Sequence, residues 1–130
     1  MQFTIHPNVY NTDDRSKGLL HMLEQVWIRG RQPGDGIFYI ISGFANYNGG
    51  IRFYEAIKQH IEQGGRCVAF LGGSTSQRLS SLQVVEQLLE IGCEVHVINR
   101  KRILHAKCYG ISSAAGDALI TSSGNFASRQ

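Results

Sequence analysis

The chain is short of the features that most quickly assign a protein to a class. Its three cysteines, Cys67, Cys93 and Cys108, are odd in number and widely spaced along 130 residues. That spacing reads as buried, reduced thiols in a cytoplasmic protein rather than as a disulfide framework. The longest apolar runs, such as Ile37 to Ile41, are far too short to cross a bilayer, so no membrane partner is expected. The opening residues Met1-Gln2-Phe3-Thr4 lack a basic stretch followed by an apolar one, so no signal peptide is read. Five histidines, at positions 6, 21, 60, 96 and 105, are scattered, and no cysteine or acid stands at ligand spacing from another ligand. No metal and no cofactor are therefore expected. Between Glu94 and Asp117 there is no acid at all, which argues against a two-metal nuclease centre in that stretch, because such a centre needs several carboxylates. Internal repeats and low-complexity tracts are also missing.

What is present is ordinary in amount and uneven in distribution. With 42% hydrophobic and 18% charged residues the chain reads as a single globular domain. A domain of this length buries roughly two-thirds of the surface its unfolded form exposes. The net charge is only +3, but Arg100, Lys101, Arg102 and Lys107 fall within eight residues. A basic triplet by itself is usually a solvated loop. Beside a phosphate site it would instead meet a polyanion and release condensed counterions.

Hydrophobic spacing sets out the order of elements. Lys17 to Trp27 predicts a helix with Leu19, Leu20, Leu23, Val26 and Trp27 on one face. After the turn-rich segment Gly30 to Gly36 comes a buried strand, Ile37 to Ser42, and then a loop, Gly43 to Gly50. A second helix, Ile51 to Gln63, places Ile51, Tyr54, Ile57 and Ile61 together, and Gly64-Gly65 ends it. Strand Cys67 to Leu71 leads through Gly72-Gly73-Ser74-Thr75-Ser76 to a helix from Ser80 to Ile91, with Leu82, Val85, Leu88 and Leu89 toward the core. Three further strands are expected: Glu94 to Ile98, Leu104 to Ile111 and Ala118 to Ser122, the last two joined by a loose connection, Ser112 to Gly116. The alternation predicts an α/β sandwich with a mixed, partly parallel sheet. The final connection is too short for a parallel crossover, so its two strands should pair antiparallel.

Two polar dyads stand out in this frame. His105-Ala106-Lys107 sits at the start of a predicted strand, and Ser123-Gly124-Asn125 follows the last one. Side chains two apart on a strand share a face about 6–7 Å apart, which sets His105 with Lys107 and, where the strand continues, Ser123 with Asn125. A nucleophilic imidazole, a fixed cation and two neutral hydrogen-bonding groups form a set suited to holding and attacking a phosphodiester. The small residues Ala106, Cys108 and Gly110 take the opposite face and suit the inside of a sheet. A lysine in such a strand is costly to bury unless an anion meets it. The turn Gly72 to Ser76 lies between strand and helix, where anions bind, but it has neither a P-loop ending nor a dinucleotide fingerprint. Asn46 and Asn48 are possible substrate contacts after the first strand, although Asn and Gly are also the ordinary residues of turns.

At these residues the sequence resembles the phospholipase D superfamily, whose signature is His-x-Lys, a downstream Asp, and Gly-Ser-x-Asn. His105-Ala106-Lys107 matches the first element and Ser122-Ser123-Gly124-Asn125 the last, with Ser122 in place of Gly and Ser112 where the family has Asp. The gap between the elements is longer than usual for the superfamily. The segments His6 to Tyr10, Ile41 to Phe44, Asn46 to Gly50, Leu71 to Ser81 and Ile98 to Lys107 resemble one subgroup over essentially the whole chain. That subgroup is the N-terminal catalytic domain of BfiI-type restriction endonucleases, metal-independent type IIS enzymes that share the missing Asp and the Ser-Ser-Gly-Asn ending.

The resemblance implies a phospholipase D-like domain, C-terminally truncated relative to that subgroup. It lacks the closing strand and helix, an acidic residue near the site, and the separate DNA-recognition domain. It further implies a homodimeric DNA endonuclease in which His105 attacks phosphorus to give a covalent phosphohistidine. Lys107, Ser123 and Asn125 would hold the non-bridging oxygens, with Ser122, Arg100 and Arg102 among the substrate contacts. A second histidine would protonate the leaving 3′ oxygen, so the active site should lie on a two-fold axis between protomers. Two alternatives remain open at this point. One is a phosphodiesterase acting on RNA or lipid; the other is an inactive fragment that only binds DNA or dimerises.

Overall fold

Strand β1, Ile37–Ser42, organises the domain because its alternate side chains, Phe38, Ile40 and Ser42, are buried. The computed structural model describes residues 19–29, 32–73, 82–98, 106–121 and 126, and within these the elements alternate as the hydrophobic spacing predicts. They are helix α1 (Leu19–Trp27), β1, the short helix α2 (Tyr47–Gly50), α3 (Tyr54–Glu62), β2 (Arg66–Gly72), α4 (Leu82–Glu90), β3 (Glu94–Ile98), β4 (Lys107–Ser113) and β5 (Gly116–Thr121). The five strands form one sheet in the order β3-β2-β1-β4-β5. β1 pairs parallel with β2, and β2 parallel with β3; β4 runs antiparallel to both β1 and β5. The architecture is α/β with a mixed, partly parallel sheet.

One face of the sheet makes the core. Phe38 and Ile40, Cys67, Ala69 and Leu71, and Tyr109 and Ile111 join Leu23 and Trp27 of α1, Tyr54 and Ile57 of α3, and Val84 and Leu88 of α4 in a single buried cluster. Trp27 is its centre, stacked on Phe38 and edge-on to Phe53 and Tyr109. Its indole N–H donates to the Gly110 carbonyl at 3.0 Å, so the ring is buried without an orphaned donor. A nine-residue helix such as α1 is not stable alone. Burying Leu23 and Trp27 contributes about 1.5–3 kcal/mol each, and that docking holds it.

Two glycines end helices where a left-handed residue is needed. Gly64 (φ +99°) and Gly92 (φ +101°) follow α3 and α4. The next amides, of Gly65 and Cys93, reach back to the His60 and Leu88 carbonyls at 2.9 Å each. This paired-bond termination is the one Gly64-Gly65 and Gly92 lead one to expect.

Several expectations are corrected. The loop Gly43 to Gly50 contains α2, because Asn46 Oδ1 accepts from the Gly49 amide at 2.9 Å and caps a helical turn. The helix expected from Ile51 therefore begins at Tyr54, and Ile51 is left exposed on the turn between them. In α4, Val84 and Leu88 point inward while Leu82 and Leu89 are exposed, a frame shift that the crowded apolar sequence did not resolve. The connection before β5 is a tight hairpin from Ser113 to Gly116, braced by Ser113 Oγ donating to the Gly116 carbonyl. β4 is registered only from Lys107, and Ala106 precedes it as exposed chain. The large residues Tyr109 and Ile111, not the small ones, share the inward face with Lys107.

Candidate functional site

The C-terminal end of β1 is where Lys107, of the first polar dyad, and Phe126, the residue that follows the second, come together. Ser42 is opposite Lys107 in the antiparallel register. Both are buried; Lys107 keeps 8% of its surface exposed. A cation at this depth is costly unless it is hydrogen-bonded or faces negative charge. From the other side comes Phe126, the residue after Asn125. Its amide donates to Ser42 Oγ at 2.8 Å, and its carbonyl accepts from the Asn46 amide at 3.1 Å. Phe126 also forms an isolated parallel bridge with Ala45, and its ring lies among Trp27, Phe53 and Tyr109.

Ser42 is thus a junction. Its hydroxyl donates to the Phe44 carbonyl at 2.6 Å while accepting from Phe126, and it is also hydrogen-bonded to Tyr109. Burial pushes the Tyr109 phenol well above its ordinary range, and the Ser42 bond only partly opposes this. Tyr109 therefore stays neutral and contributes no charge beside Lys107. Sequence reading did not single out Ser42. Its signal is a hydroxyl at an inward-facing position of a strand otherwise filled by Phe38 and Ile40.

The remaining predicted site residues, His105, Arg100, Arg102, Ser122, Ser123 and Asn125, lie outside the described residues, as does Lys101. Of the phosphate-site set the structure places Lys107 alone, together with the chain neighbour of Asn125 at Phe126. At the end of β2, Gly72 approaches the Gly43 backbone so closely that an added Cβ would stand 2.0 Å from the Gly43 carbonyl oxygen. The Gly73 amide is spent on the Ile98 carbonyl, and Ser74 to Ser76 lie outside the described residues. Asn46, one of the possible substrate contacts, is occupied as the α2 cap.

Among the described residues no group of three or more His, Cys, Asp or Glu gathers as a metal site, and no helix is long and apolar enough to cross a membrane. Cys67 and Cys93 are adjacent in the core despite their separation in sequence. A hydrogen bond to Cys93 and then burial push the Cys67 thiol well up, which keeps it protonated. Cys108, on β4, is half-buried. The sequence matches no family model and no curated protein.

Proposed function

We propose that this chain is the catalytic domain of a metal-independent DNA endonuclease, built on a phospholipase D-like fold and working through a covalent phosphohistidine. The observation that carries the reading is the convergence at Ser42. A buried lysine from the first motif stands opposite Ser42 in the sheet register, and the amide of the residue following the second motif donates to the same serine. An end-of-sheet site with a buried cation suits a phosphate group, whose charge offsets the cost of the lysine's burial.

In the proposed reaction a nitrogen of His105 attacks phosphorus. A P–N bond forms as the bond to the 3′ oxygen breaks, and a histidine of a second protomer donates the proton that the leaving oxygen takes. Water then attacks the phosphohistidine, giving up its proton to that same histidine, and releases a 5′ phosphate and free His105. Lys107, Ser123 and Asn125 hold the non-bridging oxygens and offset charge that grows in the transition state. Ser122, Arg100 and Arg102 contact the DNA backbone.

Hydrolysis of bis-p-nitrophenyl phosphate in excess EDTA tests the chemistry, and cleavage of duplex DNA against RNA and phospholipid tests the substrate. The expected result is cleavage that survives EDTA, is lost in His105→Ala, and is strongest on DNA. Activity that EDTA abolishes and magnesium restores would sink the phosphohistidine route.

A further inference from the structure

Two of the three cysteines meet in the core, at the end of the sheet that the proposed phosphate site does not use. Cys67 is the second residue of β2, and Cys93 immediately precedes β3. The two strands pair parallel with Val68 opposite Glu94, so one step back along both sets Cys67 opposite Cys93. Both side chains turn to the helical face, join the core cluster and are buried. Their thiols are hydrogen-bonded to each other. Cys93 is held in place from the α4 side. Gly92, at φ +101°, ends that helix, and the Cys93 amide donates to the Leu88 carbonyl at 2.9 Å. Cys108 takes no part, because it alternates with Lys107 and Tyr109 along β4 and faces away from the core.

The spacing suits a cross-link. Neighbouring strands stand about 4.8 Å apart, inside the window of roughly 4.4–6.8 Å between Cα atoms that a disulfide spans. Closing the bond asks the two β-carbons to approach to about 4 Å. Cys93 lies just outside the registered part of β3, so that small shift breaks no ladder pairing.

We propose that Cys67 and Cys93 form a modification site, a dithiol that hydrogen peroxide converts to an intramolecular disulfide joining β2 to the start of β3. Cys93 reacts first, being 5% exposed against 2% for Cys67. Its sulfur attacks one peroxide oxygen; an S–O bond forms, the O–O bond breaks, and the departing hydroxide leaves as water with the Cys93 proton. The Cys67 sulfur then attacks the sulfenic sulfur. An S–S bond forms, the S–O bond breaks, and the second hydroxide leaves as water with the Cys67 proton. The two thiols together lose two electrons and two protons, and the peroxide is reduced to two waters.

Burial makes the dithiol slow to oxidise and the closed disulfide slow to be reduced. The cross-link closes the loop from Cys67 to Cys93, which contains α4, and so restricts the unfolded chain. In the sheet Cys67 stands beside Phe38, and the Lys107–Ser42 pair is about 13 Å further along the strands. The bond therefore staples the β2–α4–β3 crossover without reaching that pair. The inference does not depend on the nuclease reading.

The test is peptide mapping by mass spectrometry of the full wild-type chain, exposed to hydrogen peroxide while folded and then alkylated with iodoacetamide in denaturant. A Cys67–Cys93 linked peptide, two hydrogens lighter than the reduced pair, is expected. Thermal unfolding of Cys108→Ser should rise by roughly 10 °C on oxidation and fall back with dithiothreitol. In Cys67→Ala the Cys93 sulfenic acid has no partner, so dimedone should capture it and the unfolding temperature should not rise. The wild-type map decides the matter whether or not that variant folds. Full alkylation of Cys67 and Cys93 after prolonged peroxide exposure overturns the inference. So does linkage through Cys108, or oxidation of either thiol to sulfinic acid without a cross-link. A linked chain that unfolds at a lower temperature than the reduced one overturns the fit of the bond to the native sheet.

Discussion

A buried polar side chain lies at each end of β1, His60 from α3 at its start and Ser42 of the strand itself at its close, and the two have different partners. At the start of the strand stands His60, fully buried and stacked on Phe38 with ring centroids 3.9 Å apart. Its Nδ1 accepts from the Gly34 amide at 3.0 Å, which fixes the proton on Nε2, and Nε2 lies 3.0 Å from the Gly36 carbonyl and 3.1 Å from that of Arg66. These partners belong to the backbone of the turns entering β1 and β2. At the far end Ser42 also binds backbone, at Phe44 and Phe126, but it sits beside the buried cation Lys107 and the residue that follows the second motif. A buried polar group whose partners are neighbouring backbone is a clasp for the fold. The Ser42 end, which brings together a buried charge and the residue after the second motif, is where the proposed phosphate site lies. Among the described histidines only His60 is buried, and these three bonds tie it to backbone.

The sharpest way to break this contrast is to remove a proposed participant from the Ser42 end. His105→Ala should lower phosphodiester cleavage by more than about a thousandfold, as loss of a covalent nucleophile does, with DNA affinity nearly unchanged. Lys107→Ala should lower both, and the salt dependence of binding should lose a slope of about 0.9 for each phosphate contact removed. If His105→Ala cleaves at the wild-type rate, the nucleophile is misassigned.

At the opposite end the effect should be on stability alone. His60→Ala leaves the Gly34 amide and the Gly36 and Arg66 carbonyls without the ring and opens a cavity beside Phe38. A loss of about 3–5 kcal/mol in urea unfolding is expected, a large part of a small domain's stability, with cleavage per folded molecule unchanged. A cleavage defect in the folded fraction would erase the distinction between the two ends.

Ser42→Ala should fall between these cases. Removing the hydroxyl strands the Phe126 amide at a cost of about 1–3 kcal/mol. Because the second motif is then less well held, cleavage should drop roughly tenfold or more, with the salt slope of DNA binding intact. Ser42→Thr, which keeps the hydroxyl, should recover more of the rate than Ser42→Cys. A stability loss without any change in rate would make Ser42 a clasp like His60.

The smallest effect is expected at the exposed cluster on β2 and β3. The His96 bond first, and then Arg66, hold the Glu94 carboxyl below its ordinary range. The stabilisation is therefore present above that ordinary range and fades as pH falls through the lowered value. Glu94→Gln should leave thermal unfolding at neutral pH almost unmoved, as exposed ion pairs do, and should flatten only the acid limb of the stability profile. A large shift at neutral pH would mean that the cluster is buried in an assembly.

Much of the architecture was legible in local pattern. The strand Ile37–Ser42 and the strand Glu94–Ile98 were read with the bounds they have, because apolar residues between turn signals leave little choice. The glycine endings after α3 and α4 were legible for the same local reason. The inward choice in α4 was not, since Leu82, Val84, Val85, Leu88 and Leu89 offer more than one apolar face and the sheet selects Val84 with Leu88. Nor was the role of His60, because its three partners lie at Gly34, Gly36 and Arg66, and only folding brings their backbone to the ring.

By itself, then, the amino-acid sequence determined the α/β class, the order of the five strands and the three longer helices, and the two polar dyads singled out for phosphate chemistry. Each of these depends on spacing within a few residues, where backbone periodicity alone decides which side chains share a face. Only the tertiary structure decided that Lys107 is buried opposite Ser42, that Phe126 returns to that serine, and that Cys67 meets Cys93. The reason is strand order. β4 inserts between β1 and β5 rather than following β3, so residues distant in sequence become lateral neighbours, and no local pattern encodes which strand will lie beside which.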